Sequence, residues 1–443
     1  MIKILIFTFS FLLFPIGSKA RTFCDSQKCD LKSLFQVKKA KYVIRYPHQF
    51  RDTLFVPKDC DVFFEGGSLH GPIIFANTRL RGDVNLKGSS ISGTVKNRIF
   101  IASWLCAMDG MTDDAPRINE MLDVCENVFF PQGTYRLISK YNPVGKVAKQ
   151  NESSIVSHIG ITRNNVTLQG ENGAVLITNQ PYSTICIFSQ PYQIKESVRR
   201  IRIKGITFKV ENKGEEFVNY MHSIKLVGVN DIRIEKCVFD DFWCDAICLS
   251  HYGDIPQTGE RTRNENVKII NNLIVGGEHH NNRNGVSVVS GKNVLIKGNT
   301  IRNTSRKDMP GAIDVEPNNS AYTIENIRIE KNLLEDIGGN CGAIEVCMFN
   351  GGPGHHISIL GNIIRNCNKG LYIYLKTDNT TDHFTIKNNY VAEDTPPYEF
   401  VGKGKSKNWI VSGNIFDHPC IQDIPGDITV ENLVVKNNKK KTD

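Results

Sequence analysis

Beyond its first twenty residues the sequence has no apolar run long enough to cross a bilayer, so no helical membrane span is expected. Helical periodicity is nearly missing too, with one convincing helix in the whole chain, which excludes helical bundles and tandem helical hairpins. The thirteen cysteines are odd in number and irregularly spaced. "CDAIC" at 244–248 has no second pair or histidine set at ligand spacing, which excludes a zinc module there. No cysteine follows the N-terminal apolar run in a lipid-attachment context. Charge of one sign is not dominant either, and no nucleic-acid partner is expected.

What is present is a large core. The chain has 443 residues, 40% hydrophobic and 23% charged, enough for one extended domain or two or three compact ones. Residues 1–20, "MIKILIFTFSFLLFPIGSKA", carry Lys3, a short apolar run and a small-residue end at Ser18 and Ala20, the pattern of a cleaved secretory signal. A secreted or periplasmic location follows from that reading, and a monomer is expected. Removing the two lysines of this segment leaves 52 basic against 46 acidic side chains, a net charge of +6, which suits an acidic glycan or simply a solvated basic surface. In an exported chain Cys24 and Cys29 are spaced for a local bridge. Cys237, Cys244, Cys248, Cys341, Cys347 and Cys367 sit in strand-like runs, where a packed thiol is the default.

Repeats organise the second half. One pattern, an aliphatic pair followed by Asn and a further apolar residue, recurs as "VKIINNLI", "VLIKGNTI", "IRIEKNLL", "ISILGNII", "FTIKNNYV" and "WIVSGNIF", with Asn at 272, 299, 332, 362, 389 and 414. "IRIEKCVF" is an earlier copy with Cys237 in the Asn place, and Asn438 ends a truncated last one. Constant strand length with variable spacing predicts stacked β coils with insertions at turns. Asn suits the tight bend, and stacked amides can hydrogen-bond from coil to coil.

A second strand precedes each of these in "CDAICLS", "RNGVSVV", "PGAIDVE", "CGAIEVC" and "NKGLYIY". Position three is always small: Ala246, Gly285, Ala312, Ala343, Gly370. Position four gives an inward ladder of Ile247, Val286, Ile313, Ile344 and Leu371. The outward fifth column reads Cys248, Ser287, Asp314, Glu345, Tyr372, and the seventh reads Ser250, Val289, Glu316, Cys347, Tyr374. With parallel strands about 4.8 Å apart, Asp314, Glu316 and Glu345 form an acidic triangle that needs a cation or a shared proton. Arg283, Asn284 and Lys376 flank it, and Tyr372 and Tyr374 offer faces for sugar stacking. A long insertion after His251 and the turn holding His279 and His280 would wall the strip and supply acid or base groups. The competing reading is a solvated salt-bridge ladder, as the basic runs "KGKSK" and "NNKKKTD" are solvated turns and a tail.

Upstream, Thr112 or Asp113 can cap a helix with Pro116 in its first turn and Ile118, Met121, Leu122 and Cys125 on one face. The motif made by Asp109, Gly110, Thr112, Asp113, Asp114, Pro131, Gly133 and Tyr135 resembles the opening module of the pectate-lyase-like superfamily, although its usual Trp-Phe-Gly reads "WLCAMDG" here. The resemblance implies an all-β fold: a right-handed parallel β-helix over 105–443, closed by a short capping helix and preceded by an N-terminal β extension over 21–104. It also implies a polysaccharide substrate. A lyase would hold Ca2+ with Asp314, Glu316 and Glu345 and use Arg283, Lys376 or a nearby histidine as base. A glycoside hydrolase would use the same three carboxyls as acid, base or nucleophile. A non-catalytic glycan-binding coil is the third reading.

Overall fold

The computed structural model describes residues 21–24, 30–141, 156–189, 197–211, 221–251, 263–277, 282–304, 311–318, 322, 324–340, 342–348, 354–376, 380–392, 395–417 and 428–440. Residues 1–20, with the signal reading, lie outside the described set, as do His279, His280, Cys29 and Cys341. No described helix is long and apolar enough to cross a membrane. The chain divides into two compact units, one ending at Asn97 and the other beginning at Arg98, ahead of the boundary expected at 105. The first unit is built on parallel strands, with Lys41–Ile44 against Asp61–Phe64, which in turn pairs with Pro72–Gly82.

The second unit is the expected right-handed parallel β-helix. Each coil contributes one strand to each of three parallel sheets, as in Ile313–Val315, Ile324–Glu330 and Leu333–Ile337, before Ile344–Met348 opens the next coil. The sheet that carries the acidic column runs through β1 (Ser157–Ile161), β2 (Ser183–Phe188), β3 (Ile224–Val227), β4 (Ile247–Ser250), β5 (Val286–Val288), β6 (Ile313–Val315), β7 (Ile344–Met348), β8 (Leu371–Leu375) and β9 (Tyr398–Gly402). Its register is the one the repeat predicts. Ile247, Val286, Ile313, Ile344 and Leu371 are successive partners, and none is measurably exposed. The helix Ala115–Val124 buries Ile118, Met121 and Leu122 and docks on β1 through Asn119, which donates to the His158 carbonyl and accepts from the Gly160 N–H. Asp113 serves its start by accepting the Ala115 N–H at 3.1 Å, while Asp114 turns back to accept from Ala107 and Met108.

The repeating asparagines are the internal frame. Each side-chain Nδ2 donates to the Oδ1 of the next, from Asn272 through Asn299, Asn332, Asn362, Asn389 and Asn414 to Asn438, at 2.9 to 3.0 Å. The same Oδ1 accepts the backbone N–H of the preceding Asn, and each Nδ2 also donates to a backbone carbonyl, such as Ile296 from Asn332. The left-handed bend falls one residue earlier than expected, at Asn271, Gly298, Lys331, Gly361, Asn388, Gly413 and Asn437, all with φ between 52° and 67°. Asn is therefore required at these positions for its amide and not for its backbone. Cys237 fits the column because its backbone N–H still donates to Asn272 Oδ1, and its thiol meets the Ile203 and Glu235 carbonyls. Nine described cysteines, including Cys237, Cys244, Cys248, Cys347 and Cys367, are buried, as packed thiols in strands are expected to be.

Two outcomes follow. Asn332→Ala strips a buried amide of four hydrogen bonds and should lower unfolding free energy by roughly 2–4 kcal/mol, read from urea denaturation, whereas Gly at the exposed, left-handed Asn326 (φ 54°) should cost under about 1 kcal/mol. Equal losses at both positions would refute the structural weight given to the inner column. Val286→Asp buries an unpaired charge in the aliphatic stack and should yield no folded protein by circular dichroism.

Candidate functional site

The backbone bends at Ala246, Gly285, Ala312, Ala343 and Gly370, one residue before each strand of this sheet from β4 to β8. A Cβ at Gly285 would stand 2.6 Å from Ile301 Cγ2 and 2.9 Å from the Ala312 carbonyl oxygen, so this approach tolerates no side chain. The bend turns the preceding residue onto the outward face. Asn284 thereby reaches Ser287 Oγ at 2.8 Å and Asp314 Oδ2 at 3.3 Å.

The column order is as the repeat predicts, and extends further back. Cys186, Lys225, Cys248, Ser287, Asp314, Glu345, Tyr372 and Glu399 are successive register partners. Far from being a solvated surface, most of it is buried: Lys225 is 2% exposed, Ser287 1%, Asp314 4% and Glu345 3%. A wet salt-bridge ladder does not fit that burial. Glu316, Tyr372 and Tyr374 are half-buried, and Lys376 is exposed.

An ion pair at the centre was not visible in the sequence. Asp245, with no exposure, receives Arg283 Nε at 2.7 Å and Arg283 Nη2 at 2.5 Å on its two oxygens, and Asn284 N–H at 3.3 Å. Burial opposes ionisation of Asp245, but the Arg283 charge and hydrogen bonds outweigh it and hold the carboxyl below its ordinary range. Burial would likewise discharge Arg283, yet Asp245 raises its pKa above the usual guanidinium value. Arg283 is thus a fixed positive charge and a poor proton acceptor, which removes it as a base. His222, 4% exposed, approaches Asp245 Oδ2 at 3.4 Å, but burial pushes its pKa down to about 3, so the contact is a neutral one. His222 and Lys225 belong to "MHSIKLV", one more copy of the second-strand repeat with Ser223 in the small position. Scanning upstream for that spacing would have found them.

The acidic triangle is electrostatically unsatisfied. Burial, then Glu345 and Glu316, raise the Asp314 pKa well above the carboxylate range, and burial raises that of Glu316 against the pull of Arg283. Asp314 Oδ1 and Asn284 Oδ1 are buried with no hydrogen-bond partner. Such orphaned oxygens are the donor type a hard cation takes, so the donor chemistry suits Ca2+ although the three carboxyls do not stand at ligand spacing. Among the described residues, two trios bring ligand-type atoms within 4.8 Å of one another, His222–Cys244–Asp245 and His356–Asp382–His383; Asp314, Glu316 and Glu345 are not a third. In the first trio both Asp245 oxygens already serve Arg283, so it reads as an ion-pair network.

The other expected residues divide. His251 is buried at the end of β4 and stacks on Tyr322, with ring centroids 4.1 Å apart. Lys369, absent from the sequence expectation, lies over the Tyr372 ring with Nζ 5.4 Å from its centroid and pairs with Glu399. His279 and His280 fall outside the described residues.

No family model matches the chain, and no curated protein does either. Among solved structures it is similar to PfbA, a surface adhesin of Streptococcus pneumoniae, at 14% identity over 75% of this chain and 88% of that one, with a TM-score of 0.45. It is similar to the tailspike gp49 of Acinetobacter baumannii bacteriophage Fri1, a capsular polysaccharide depolymerase, at 13% identity over 78% and 60%, with a TM-score of 0.46. A mannuronic acid specific polysaccharide family 6 lyase from human gut microbiota gives 12% identity over 92% and 80%, with a TM-score of 0.39. No residue role is carried across from these likenesses.

Proposed function

We propose that this is a secreted carbohydrate-active enzyme that cleaves an acidic, uronate-containing polysaccharide by β-elimination. The observation that carries the reading is the juxtaposition of the Asp245-anchored Arg283 with the orphaned buried oxygens of Asp314 and Asn284 on one coil face. Asp314, Glu316, Glu345 and Asn284 would hold the calcium, and the ion when bound neutralises a substrate carboxylate and so acidifies the proton α to it. The protein's own groups account for the rest. Arg283 cannot relax away from Asp245, so it offers its charge to the uronate in fixed geometry, at no reorganisation cost. Tyr372 and Tyr374 supply half-buried ring faces for sugar stacking. Among the described residues Lys376, exposed just past them, would remove the α proton; the electron pair forms the new double bond, and the glycosidic oxygen leaves from the β carbon.

The direct register of Asp314 with Glu345 favours a second reading. Carboxyls on adjacent parallel strands approach the roughly 5–5.5 Å separation of a retaining glycoside hydrolase, and a protonated Asp314 suits its acid.

A panel of pectic, alginate and glycosaminoglycan polymers, followed in parallel by ultraviolet absorbance of unsaturated uronate and by reducing ends, separates the two. The lyase yields the unsaturated product and is silenced by chelator; Asp314→Asn regains part of its activity at high calcium, since an amide oxygen still coordinates weakly. In the hydrolase the parent ignores chelator, and Asp314→Asn loses ~100-fold or more at any metal concentration. Reducing ends without unsaturated product overturn the lyase, and binding without either activity leaves a glycan-binding coil. Replacing both Tyr372 and Tyr374 by Ala should weaken polymer binding, measured by affinity electrophoresis, by about 1–3 kcal/mol with little change in the thermal transition.

A further inference from the structure

A second asparagine column runs along the outside of the 14-stranded sheet, six residues ahead of the inner one. Asn266, Asn293, Asn326, Asn408 and Asn432 occupy it, all left-handed with φ between 54° and 59°. Asn293 donates to Asn266, Asn326 to Asn293 and Asn432 to Asn408 at 2.8 to 3.0 Å, so the column normally closes on itself through amides. On two consecutive coils it is broken, and the same left-handed positions hold His356 (φ 57°) and His383 (φ 56°). A β-helix can build these bends with Asn, as its neighbours do, so two adjacent histidines are not demanded by the backbone.

The two rings stack, centroids 4.5 Å apart and 13° from parallel. Asp382 stands beside them. Its Oδ1 meets His383 Nδ1 at 3.4 Å and His355 Nδ1 at 2.7 Å, His355 being its register partner one coil back. Ligand atoms of His356, Asp382 and His383 all lie within 4.8 Å of one another, with both histidines exposed and Asp382 half-buried. We infer that His356, His383 and Asp382 form a surface site for a borderline divalent transition metal of the zinc type, clamping two consecutive coils.

Two imidazoles and a carboxylate are a donor set that zinc, copper and nickel prefer and calcium does not. Zinc–nitrogen bonds of ~2.0–2.1 Å place two ligand nitrogens about 3.4 Å apart in a tetrahedron, so closure needs side-chain movement of about an ångström. The two exposed imidazoles have room for that movement, and water can fill the fourth position. His355 plays the orienting part, since a ligating carboxylate is itself held by a hydrogen bond. The site is chemically distinct from the oxygen cluster around Asp314 and does not depend on the catalytic reading.

The test is titration of tag-free, metal-stripped protein with Zn2+ by isothermal calorimetry, comparing the parent with His356→Asn/His383→Asn. Because Asn is what the column uses elsewhere, the double variant should fold as the parent does, checked by circular dichroism. The parent should take up one zinc equivalent at micromolar or tighter affinity and gain thermal stability from it; the double variant should bind at least tenfold more weakly and gain none. Asp314→Asn should leave zinc uptake unchanged. No uptake by the parent, or the same equivalent retained by the double variant, overturns the site.

Discussion

The inner asparagine column constrains everything else in the coil domain. A buried primary amide carries two donors and an acceptor, and leaving any of them unmet in a core costs free energy that a marginally stable chain cannot absorb repeatedly. Here each amide is satisfied by the amide of the next coil, one backbone N–H and one carbonyl. That solution exists only at one spacing and one register. Seven consecutive amides therefore act as a vernier, and a slip of one residue at any coil would orphan the polar groups on both sides of it.

Register set in one corner is register set everywhere on the coil. With Asn299, Asn332 and Asn362 aligned, the strands β5, β6 and β7 cannot slide, so Ser287, Asp314 and Glu345 must stand abreast. Two carboxyls in that position repel, and their burial makes the repulsion worse. A fold selected for stability alone would place threonine or valine in the column. The rigid frame holds a locally unfavourable cluster in place, as functional sites commonly require.

Asp245 and Arg283 show the same logic in another form. A fully buried carboxylate is tolerable only when paired and hydrogen-bonded, and Arg283 meets both of its oxygens. The pairing leaves a guanidinium whose orientation is fixed before any ligand arrives. At the outer edge of the fold, where water can satisfy amides, the asparagine column tolerates interruption, and it is there that His356 and His383 replace it.

The sequence by itself determined the coil architecture, the aliphatic ladder from Ile247 to Leu371 and the order of the outward column, because each is a periodic property that a single strand expresses without reference to its neighbours. The reading also assigned to Asn272 and its equivalents a bend that belongs one residue earlier, since a bend and a buried amide favour the same residue type. Only the tertiary structure decided that the outward face is buried, that Asp245 holds Arg283 and that His356 meets His383. Asp245 and Arg283 stand 38 positions apart and His356 and His383 stand 27 apart, and nothing in the local sequence of either member names its partner. These contacts exist because coils stack about 4.8 Å apart and bends at small residues such as Gly285 turn a neighbouring side chain onto the sheet face, and neither displacement is written in local periodicity.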